Sequence, residues 1–197
     1  GVHITQLLDI LEGYDVASLG FGTVDMLHLL AEVLKIAFAD RAQASGDPDF
    51  VKVPVERIVA KAYADQRRTG INLAHATQWT SGLGTSGLES GLVAAEGADT
   101  THLTAADGKG NVVTTTQTIN SLFGARFIVP GTGMIPNNYM NTYDPRPGNA
   151  LSIEPGKRVT TSMSPVMAVR DGKVAYALGL PGGRKIFPSV LQALVNL

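Results

Sequence analysis

The sequence contains no cysteine among its 197 residues. That absence excludes disulfide bonds, thiolate catalysis and metal sites with cysteine ligands. Concentrated positive charge is also missing, because no run of Lys and Arg exceeds two residues and the formal net charge is −1. Nucleic acid is therefore not an expected partner, since binding a phosphate backbone requires a basic surface.

Long apolar segments are missing as well. Glu32 and Lys35 interrupt the most apolar helical stretch, so we expect no membrane-spanning segment. No signal peptide begins at Gly1, and we expect the chain to be a piece of a longer protein. A chain of 197 residues is long enough for one domain with a hydrophobic core.

Helical periodicity dominates the first third of the sequence. Apolar spacing predicts a helix over 4–12 and a second from residue 24 to about residue 41, with Thr23 as its N-cap. A third helix is predicted over 54–68, because Pro54 fits the first helical position and a glycine follows the last turn. The residues expected to be buried on this third helix are Val55, Ile58, Val59 and Ala62.

Between residues 76 and 99 the composition changes. The segment is rich in Gly, Ser, Thr and Ala and has no helical or strand periodicity. Such a composition predicts a flexible linker.

The second half of the sequence has the pattern of two β-hairpins. Polar and apolar residues alternate over 101–106 and 112–120, on either side of a turn rich in Gly and Asp. A second pair of strands is predicted over 163–170 and 173–180, followed by a helix over about 187–197. Helices followed by antiparallel hairpins predict an α+β fold.

Several short motifs in the second half occur in a specific order. They are T-T-H at 100–102, D-x-x-G-N at 107–111, T-x-N at 118–120 and F-G at 123–124. This stretch resembles the start of the small subunit of the gamma-glutamyltransferases (gamma-glutamyltranspeptidases). The motifs GDPDFVKVP (46–54), NNYM (137–140), TSMSP (161–165) and PGG (181–183) recur in the order of that family, so the resemblance covers nearly the whole chain.

The resemblance implies a fold, a division of the chain and a location. The fold is the αββα sandwich of the N-terminal-nucleophile hydrolases, of which this chain would be a part. Residues 1–99 would be the C-terminal part of the large subunit, and residues 100–197 would begin the small catalytic subunit, the two together forming one domain. Members of the family are periplasmic or secreted.

Thr100 is the predicted nucleophile. A threonine hydroxyl needs a base, and the free α-amine of an N-terminal threonine supplies one that titrates near neutral pH. The bond between Asp99 and Thr100 must therefore break first, and the family does this autocatalytically. Without the resemblance, Thr100 would read as an ordinary residue at the start of a strand.

Thr118 and Asn120 lie two residues apart on one strand, so their side chains share a face. In the family, the matching threonine hydrogen-bonds the amine of the nucleophile, and the matching asparagine contacts the amino acid end of the substrate. From the residues alone, Thr118 is a core-edge residue and Asn120 a strand terminator. Next to Thr100, His102 is expected to be structural, with its side chain turned away from the nucleophile.

Two further pairs have predicted roles by the same resemblance. Gly182 and Gly183, between a strand and a helix, match the glycines whose backbone N–H groups form the oxyanion hole; from the residues alone they are a turn. Thr161 and Ser162 stand where the family has two serines that bind the substrate carboxylate.

The match fails at the residues that hold the substrate ammonium. Tyr139 stands at the position of a family glutamine, and Thr142 at that of an aspartate. Asn141 and Asp144 are the neighbouring residues that would compensate for the missing carboxylate.

Three functions follow as alternatives. The first is an autoprocessing γ-glutamyltransferase or hydrolase that cleaves γ-glutamyl amides such as glutathione, with water or an amino acid as the acceptor. The second is an acylase on the same scaffold for glutaryl-type amides, as in the cephalosporin acylases. The third is an uncleaved relative that only binds. No cofactor and no metal is expected, and the partner is the chain's own other subunit after cleavage.

Overall fold

The computed structural model describes residues 1–83 and 99–197, so most of the predicted linker lies outside the described residues. The described chain divides into two compact units. A helical unit contains residues 2–83, 144–158 and 191–197, and a hairpin unit contains residues 99–143 and 159–190. Among the described residues, no helix is both long and apolar enough to cross a membrane.

The helical unit contains five helices before residue 70. They are α1 (Val2–Leu11), α2 (Val16–Leu19), α3 (Val24–Ala44), α4 (Val55–Ile58) and α5 (Lys61–Arg68). The first two predicted helices are confirmed, with α3 one turn longer at its C-terminus than its pattern indicated.

Helix α3 begins where the sequence predicts. The hydroxyl of Thr23 accepts a hydrogen bond from the backbone N–H of Met26 at 3.2 Å, as expected of an N-cap. The apolar face of α3 is buried with that of α1, and this core includes Leu7, Ile10, Leu29, Val33 and Ile36, each fully inaccessible to solvent. Burial of these side chains is the main stabilising contribution to the unit.

The single helix predicted over 54–68 is wrong. The chain leaves helical geometry at Val59 and Ala60, where Ala60 is extended with φ −78° and ψ 130°. The break turns Tyr63 into the core, where its hydroxyl donates to the buried Asp40 carboxylate at 2.7 Å. Val55 and Ala62 are consequently exposed, whereas Ile58 is buried as predicted.

The described part of the predicted linker, residues 76–83, makes hydrogen bonds to helix α3. The backbone N–H of Thr77 and the indole N–H of Trp79 donate to the buried Glu32 carboxylate at 3.2 and 2.7 Å. The N–H of Gly82 donates to Asp40 at 3.0 Å. Burial alone would raise the pKa of Glu32. The hydrogen bonds from Lys35, Trp79 and Thr77 have a larger opposite effect, so the pKa of Glu32 is lowered. Two buried acids of α3 therefore hold this segment in place.

The hairpin unit contains two antiparallel pairs of strands. Strands β1 (Asp99–Ala106) and β2 (Val112–Asn120) form one sheet, and β3 (Val166–Arg170) and β4 (Lys173–Leu178) form the other. Both predicted hairpins are confirmed, although the second is shorter than its pattern. Helix α6 (Ile186–Val195) follows, with residues in both units.

Candidate active site

Two threonine hydroxyls lie beside the predicted cleavage bond. Thr100 on β1 pairs with Thr118 on β2, and the Thr100 hydroxyl donates to that of Thr118 at 3.0 Å. The Thr118 hydroxyl in turn donates to the carbonyl oxygen of Asp99 at 2.9 Å. The predicted nucleophile is therefore connected through one hydroxyl to the carbonyl group of its own preceding peptide bond.

The sheet is irregular at this bond. Asp99 pairs with Asn120 but Thr100 pairs with Thr118, so β2 contains an extra residue, Ile119, at this point. Such bulges are common next to active sites because they redirect a side chain. An open cavity of about 490 Å³ adjoins the bulge, lined by Asp99, Thr100, Thr101, Gln117, Thr118 and Ile119.

His102 faces the same side of the hairpin as Thr100, contrary to the prediction. Its Nδ1 lies 2.8 Å from the Thr116 hydroxyl oxygen, and its Nε2 lies 3.0 Å from that of Thr104. Because side chains two residues apart on a strand share a face, the spacing of Thr100 and His102 in the sequence already contained this signal. The two strands thus form a polar ladder that begins at the predicted nucleophile.

The His102 ring also packs against the chain that follows β4. A Cβ atom placed on Gly179, which is buried, would lie 2.4 Å from Cε1 and 2.5 Å from Nδ1 of His102. Only a residue without a side chain fits this contact. The segment that begins at Gly179 and leads to Gly182 and Gly183 is therefore held against the strand of Thr100.

Gly182 and Gly183 have backbone conformations that favour glycine. Their φ angles are 130° and 58°, and Gly183 is buried at the start of a short 3-10 helix, Gly183–Lys185. A proline at residue 183 is incompatible with the observed φ. Their geometry requires glycine, and their role as oxyanion donors stays a prediction.

Three asparagines meet at the end of β2. The buried Asn120 donates through Nδ2 to the Oδ1 atoms of Asn138 at 3.1 Å and Asn141 at 2.9 Å. Its backbone N–H donates to the Thr118 hydroxyl at 2.8 Å, and its φ of 74° lies in the left-handed region. Such strain in a residue other than glycine persists where its surroundings enforce it, often at functional sites. Asn138, the second residue of the NNYM motif, was not singled out in the sequence.

Tyr139 and Thr161 also meet. The Tyr139 hydroxyl lies 3.1 Å from that of Thr161, although 22 residues separate them in the sequence. Ser162, next to Thr161, is buried, and its backbone carbonyl accepts from the Ser164 hydroxyl at 3.0 Å. The predicted carboxylate-binding pair is therefore asymmetric, with one exposed and one buried residue.

Thr142 and Asp144, the two residues considered for the missing carboxylate, both have their side chains bonded to neighbouring residues. Thr142 is buried, and its hydroxyl donates to the Tyr139 carbonyl within the 3-10 helix Tyr139–Thr142 at 2.8 Å. The side chain of Asp144 is already held in the helical unit by Arg146 at 2.8 and 3.0 Å and by Asn149 at 3.0 Å. The hydrogen bonds from Arg146 hold the Asp144 pKa below its usual range. Compensation by Asp144 would require these bonds to break, and it stays a prediction.

The described residues contain no cluster of three or more His, Asp or Glu side chains that could hold a metal ion. The side chains hydrogen-bonded around Thr100 and at the end of β2 are hydroxyls, amides and one imidazole. They can donate and accept hydrogen bonds and pass protons, and the carboxylate of Asp99 also belongs to the residues that line the cavity.

Comparison with known proteins gives a consistent relationship. A family model described as Gamma-glutamyltranspeptidase matches residues 1–197. The chain is 65% identical over 197 residues to the "Acylase ACY 1 proenzyme" of Pseudomonas sp. (strain SE83), covering all of this chain and 34% of that protein. It is 38% identical over 207 residues to the "Glutathione hydrolase proenzyme" of Escherichia coli (strain K12), covering all of this chain and 35% of that protein. The chain thus spans about a third of the length of these relatives.

A solved structure is also similar along almost the whole chain. It is the cephalosporin acylase from Bacillus halodurans, with a TM-score of 0.76 and 25% identity over 99% of this chain and 33% of that one. This likeness confirms the predicted fold class, α+β of the N-terminal-nucleophile-hydrolase type.

Proposed function

Because the chain belongs to the gamma-glutamyltranspeptidase family, we propose that it is the part of an autoprocessing amide-cleaving enzyme that supplies the nucleophile, Thr100. The observation that carries this proposal is the pair of hydrogen bonds from Thr100 to Thr118 and from Thr118 to the Asp99 carbonyl. Relatives at 65% and 38% identity are named as proenzymes, which supports processing of this chain as well.

Processing begins with attack of the Thr100 hydroxyl oxygen on the Asp99 carbonyl carbon. A C–O bond forms, the C–N bond to Thr100 breaks, and the hydroxyl proton reaches the leaving nitrogen with Thr118 as the adjacent donor and acceptor. Water then hydrolyses the ester and leaves a carboxylate on Asp99 and a free α-amine on Thr100. Thr118 suits this role because its hydroxyl lies within hydrogen-bond distance of both reacting groups.

The processed Thr100 then acts on an external amide. Its α-amine, with a pKa near neutrality, removes the proton from its own hydroxyl as the oxygen attacks the substrate carbonyl. Backbone N–H groups of Gly182 and Gly183 stabilise the oxyanion. The acyl group moves onto the Thr100 oxygen, the amine leaves with the proton, and water or an amine releases the acyl group from the ester.

We propose a glutaryl-type acyl group as the preferred substrate. The groups assigned to the far end of the acyl chain are the neutral amides of Asn120 and Asn141 and the hydroxyls of Tyr139 and Thr161. Neutral groups bind a cationic ammonium more weakly than a carboxylate does. An acyl chain without an ammonium group loses no binding affinity at a site that lacks a carboxylate. The identity of 65% to a protein named as an acylase proenzyme supports acylase activity for this chain.

The second candidate is the cleavage of γ-glutamyl amides such as glutathione. It is favoured by the relationship to the Escherichia coli glutathione hydrolase proenzyme, which covers the whole chain at 38% identity. In this case Asn120, Asn138 and Asn141 would bind the ammonium through their amide oxygens.

The full-length protein tests this preference with two chromogenic substrates, glutaryl and γ-glutamyl p-nitroanilide. We expect a higher kcat/KM for the glutaryl compound. A higher kcat/KM for the γ-glutamyl compound would favour the second candidate. Absence of turnover of both by a protein with an intact Asp99–Thr100 bond would favour the third interpretation, an uncleaved binding protein.

A further inference from the structure

The GDPDF motif at residues 46–50 takes no part in the proposed chemistry, yet it forms the most densely bonded ionic contact described in the helical unit. Both oxygens of Asp47 accept from Arg158: Oδ1 from Nη2 at 2.6 Å, and Oδ2 from the backbone N–H at 2.7 Å. The Nε atom lies 3.1 Å from each oxygen, and Asp49 accepts from Nη2 at 2.6 Å. Two nitrogens of the Arg158 side chain, Nε and Nη2, thus make three hydrogen-bond contacts with the Asp47 carboxylate.

The Asp47 carboxylate is buried and is bonded within its own turn. Only 1% of the Asp47 side chain is exposed, whereas 64% of the Arg158 side chain remains accessible. Asp47 also accepts the backbone N–H of Asp49 at 3.1 Å, and its carbonyl accepts those of Phe50 and Val51 at 2.9 Å. The turn therefore contributes its own hydrogen bonds to the position of the carboxylate. The arginine hydrogen bonds hold the Asp47 pKa well below its usual range.

The residue before Arg158 contacts the same turn. The Lys157 ammonium lies 5.3 Å from the centre of the Phe50 ring, within the range of a cation–π interaction. The motif thus receives two consecutive basic residues, one on its acidic side chains and one on its aromatic ring.

The partners of this contact lie on opposite sides of the proposed cleavage bond, 111 residues apart. We propose that the 46–50 turn is a binding site for Lys157-Arg158 of the C-terminal cleavage product, and that it holds the two products together after the Asp99–Thr100 bond breaks. This inference rests on the proposed function, because without cleavage the contact remains within one polypeptide. The site binds the basic dipeptide Lys157-Arg158 through two acidic side chains and one aromatic ring.

A second ion pair provides a control of nearly the same construction. Asp144 is also buried, with 3% of its side chain exposed, and it pairs with an arginine, Arg146, that is 65% exposed. Both of these residues lie in the C-terminal product. The two pairs therefore match in burial and chemistry and differ in whether cleavage separates the partners.

The experiment compares Asp47→Asn with Asp144→Asn in the cleaved full-length protein. The complex of the two products is purified and diluted to a series of concentrations, and the separation of the products is scored by size-exclusion chromatography and native mass spectrometry. Asp47→Asn should raise the dissociation constant of the two products about tenfold or more, because it removes the charge that three arginine nitrogens share. Asp144→Asn should leave it within about twofold. Arg158→Lys, which keeps the charge but loses the two-pronged geometry, should fall between them.

Mass spectrometry before the separation distinguishes the two possible failures. A wild-type protein that stays a single polypeptide would contradict the proposed cleavage. A cleaved protein in which Asp47→Asn and Asp144→Asn change the dissociation constant equally would overturn the assignment of the 46–50 turn. Where Asp47→Asn does not fold, Arg158→Lys alone is compared with Asp144→Asn, because lysine keeps a positive charge opposite the buried Asp47 carboxylate.

Discussion

At the scale of single residues, Thr118 has a proposed role in processing that its position on a strand alone does not suggest. Its hydroxyl accepts from the Thr100 hydroxyl and donates to the Asp99 carbonyl oxygen. Thr115 lies on the same strand, pairs with Leu103 and is exposed. A comparison of the two threonines therefore distinguishes a chemical role of the hydroxyl group from the general preference of strands for β-branched residues.

Replacement of Thr118 by valine should slow processing by about a hundredfold or more, because it removes a proton donor and acceptor without changing the shape of the side chain. The rate is measured as the conversion of single-chain protein into two polypeptides on a denaturing gel. Thr115→Val, the matched control, should process at the wild-type rate. Equal rates for the two variants would remove Thr118 from the mechanism.

Asn141 is the better residue at which to restore a negative charge. Thr142 matches the family's aspartate in sequence, but it is buried and its hydroxyl is bonded within its own helix. Asn141 is exposed, and its Oδ1 already lies 2.9 Å from Asn120. A carboxylate at residue 141 keeps that hydrogen bond and adds a charge that an ammonium can pair with.

Asn141→Asp should therefore lower KM for γ-glutamyl p-nitroanilide about tenfold and raise it for the glutaryl compound, with little change in kcat. The change falls on KM because the ammonium is remote from the scissile bond and binds alike in the ground and transition states. Asn137→Asp adds the same charge while keeping its cap on the Tyr139 N–H. If both variants shift the two substrates equally, residue 141 does not face the acyl group.

At the scale of the elements, the hairpins and the long helix follow from their sequence patterns, whereas the breaks between elements do not. The cap at Thr23 and the hairpin of β1 and β2 are predicted from local patterns, and both are confirmed. The interruption of the helix at Val59 and Ala60 depends on a tertiary contact, because it allows the Tyr63 hydroxyl to hydrogen-bond to Asp40, which is distant in the sequence. Propensity alone cannot reveal such a tertiary preference.

The same reasoning explains the segment before residue 84. Its Gly, Ser and Thr content predicts a mobile linker, but two buried carboxylates on α3 accept its N–H groups. Among the site residues, the pairing of Thr100 with Thr118 follows from hairpin register. The meeting of Asn120 with Asn141, and of Tyr139 with Thr161, depends on loop paths that periodicity does not encode.

The contact between β1 and the chain after β4 depends on the absence of a side chain at residue 179. Gly179→Ala places a methyl group 2.4 Å from the His102 ring and forces that ring away from Thr116. We expect a loss of about 1–3 kcal/mol in the free energy of unfolding, with a lower kcat. Gly108→Ala is the control, because a Cβ there meets no atom within 4 Å. The free energy of unfolding of both variants is measured by urea unfolding followed by circular dichroism. Equal stability of the two variants would show that residue 179 does not pack tightly against His102.

At the scale of the whole molecule, acid should weaken the helical unit through Asp47 and Asp144. Hydrogen bonds from Arg158 and Arg146 depress the pKa of these carboxyls in the folded state. Their stabilisation is therefore fully present above the unfolded-state pKa of about 3.9 and is lost as the pH falls toward the folded-state values.

The urea midpoint should thus fall between pH 5 and about pH 2, and Asp47→Asn should make that fall shallower because the variant no longer binds this proton on unfolding. At pH 7 the variant should be less stable than the wild type. A wild-type midpoint that rises on acidification, or a variant with the same pH dependence as the wild type, would contradict the assigned direction of the pKa shift.

The central claim is that Thr100 becomes an N-terminal nucleophile, and mass spectrometry of the active full-length protein tests it most directly. The protein is mixed with glutaryl p-nitroanilide, quenched with acid during turnover and digested. We expect a polypeptide that begins at Thr100 and carries the acyl group as an ester on that residue. An active protein with an intact Asp99–Thr100 bond, or with the acyl group on another residue, would contradict it.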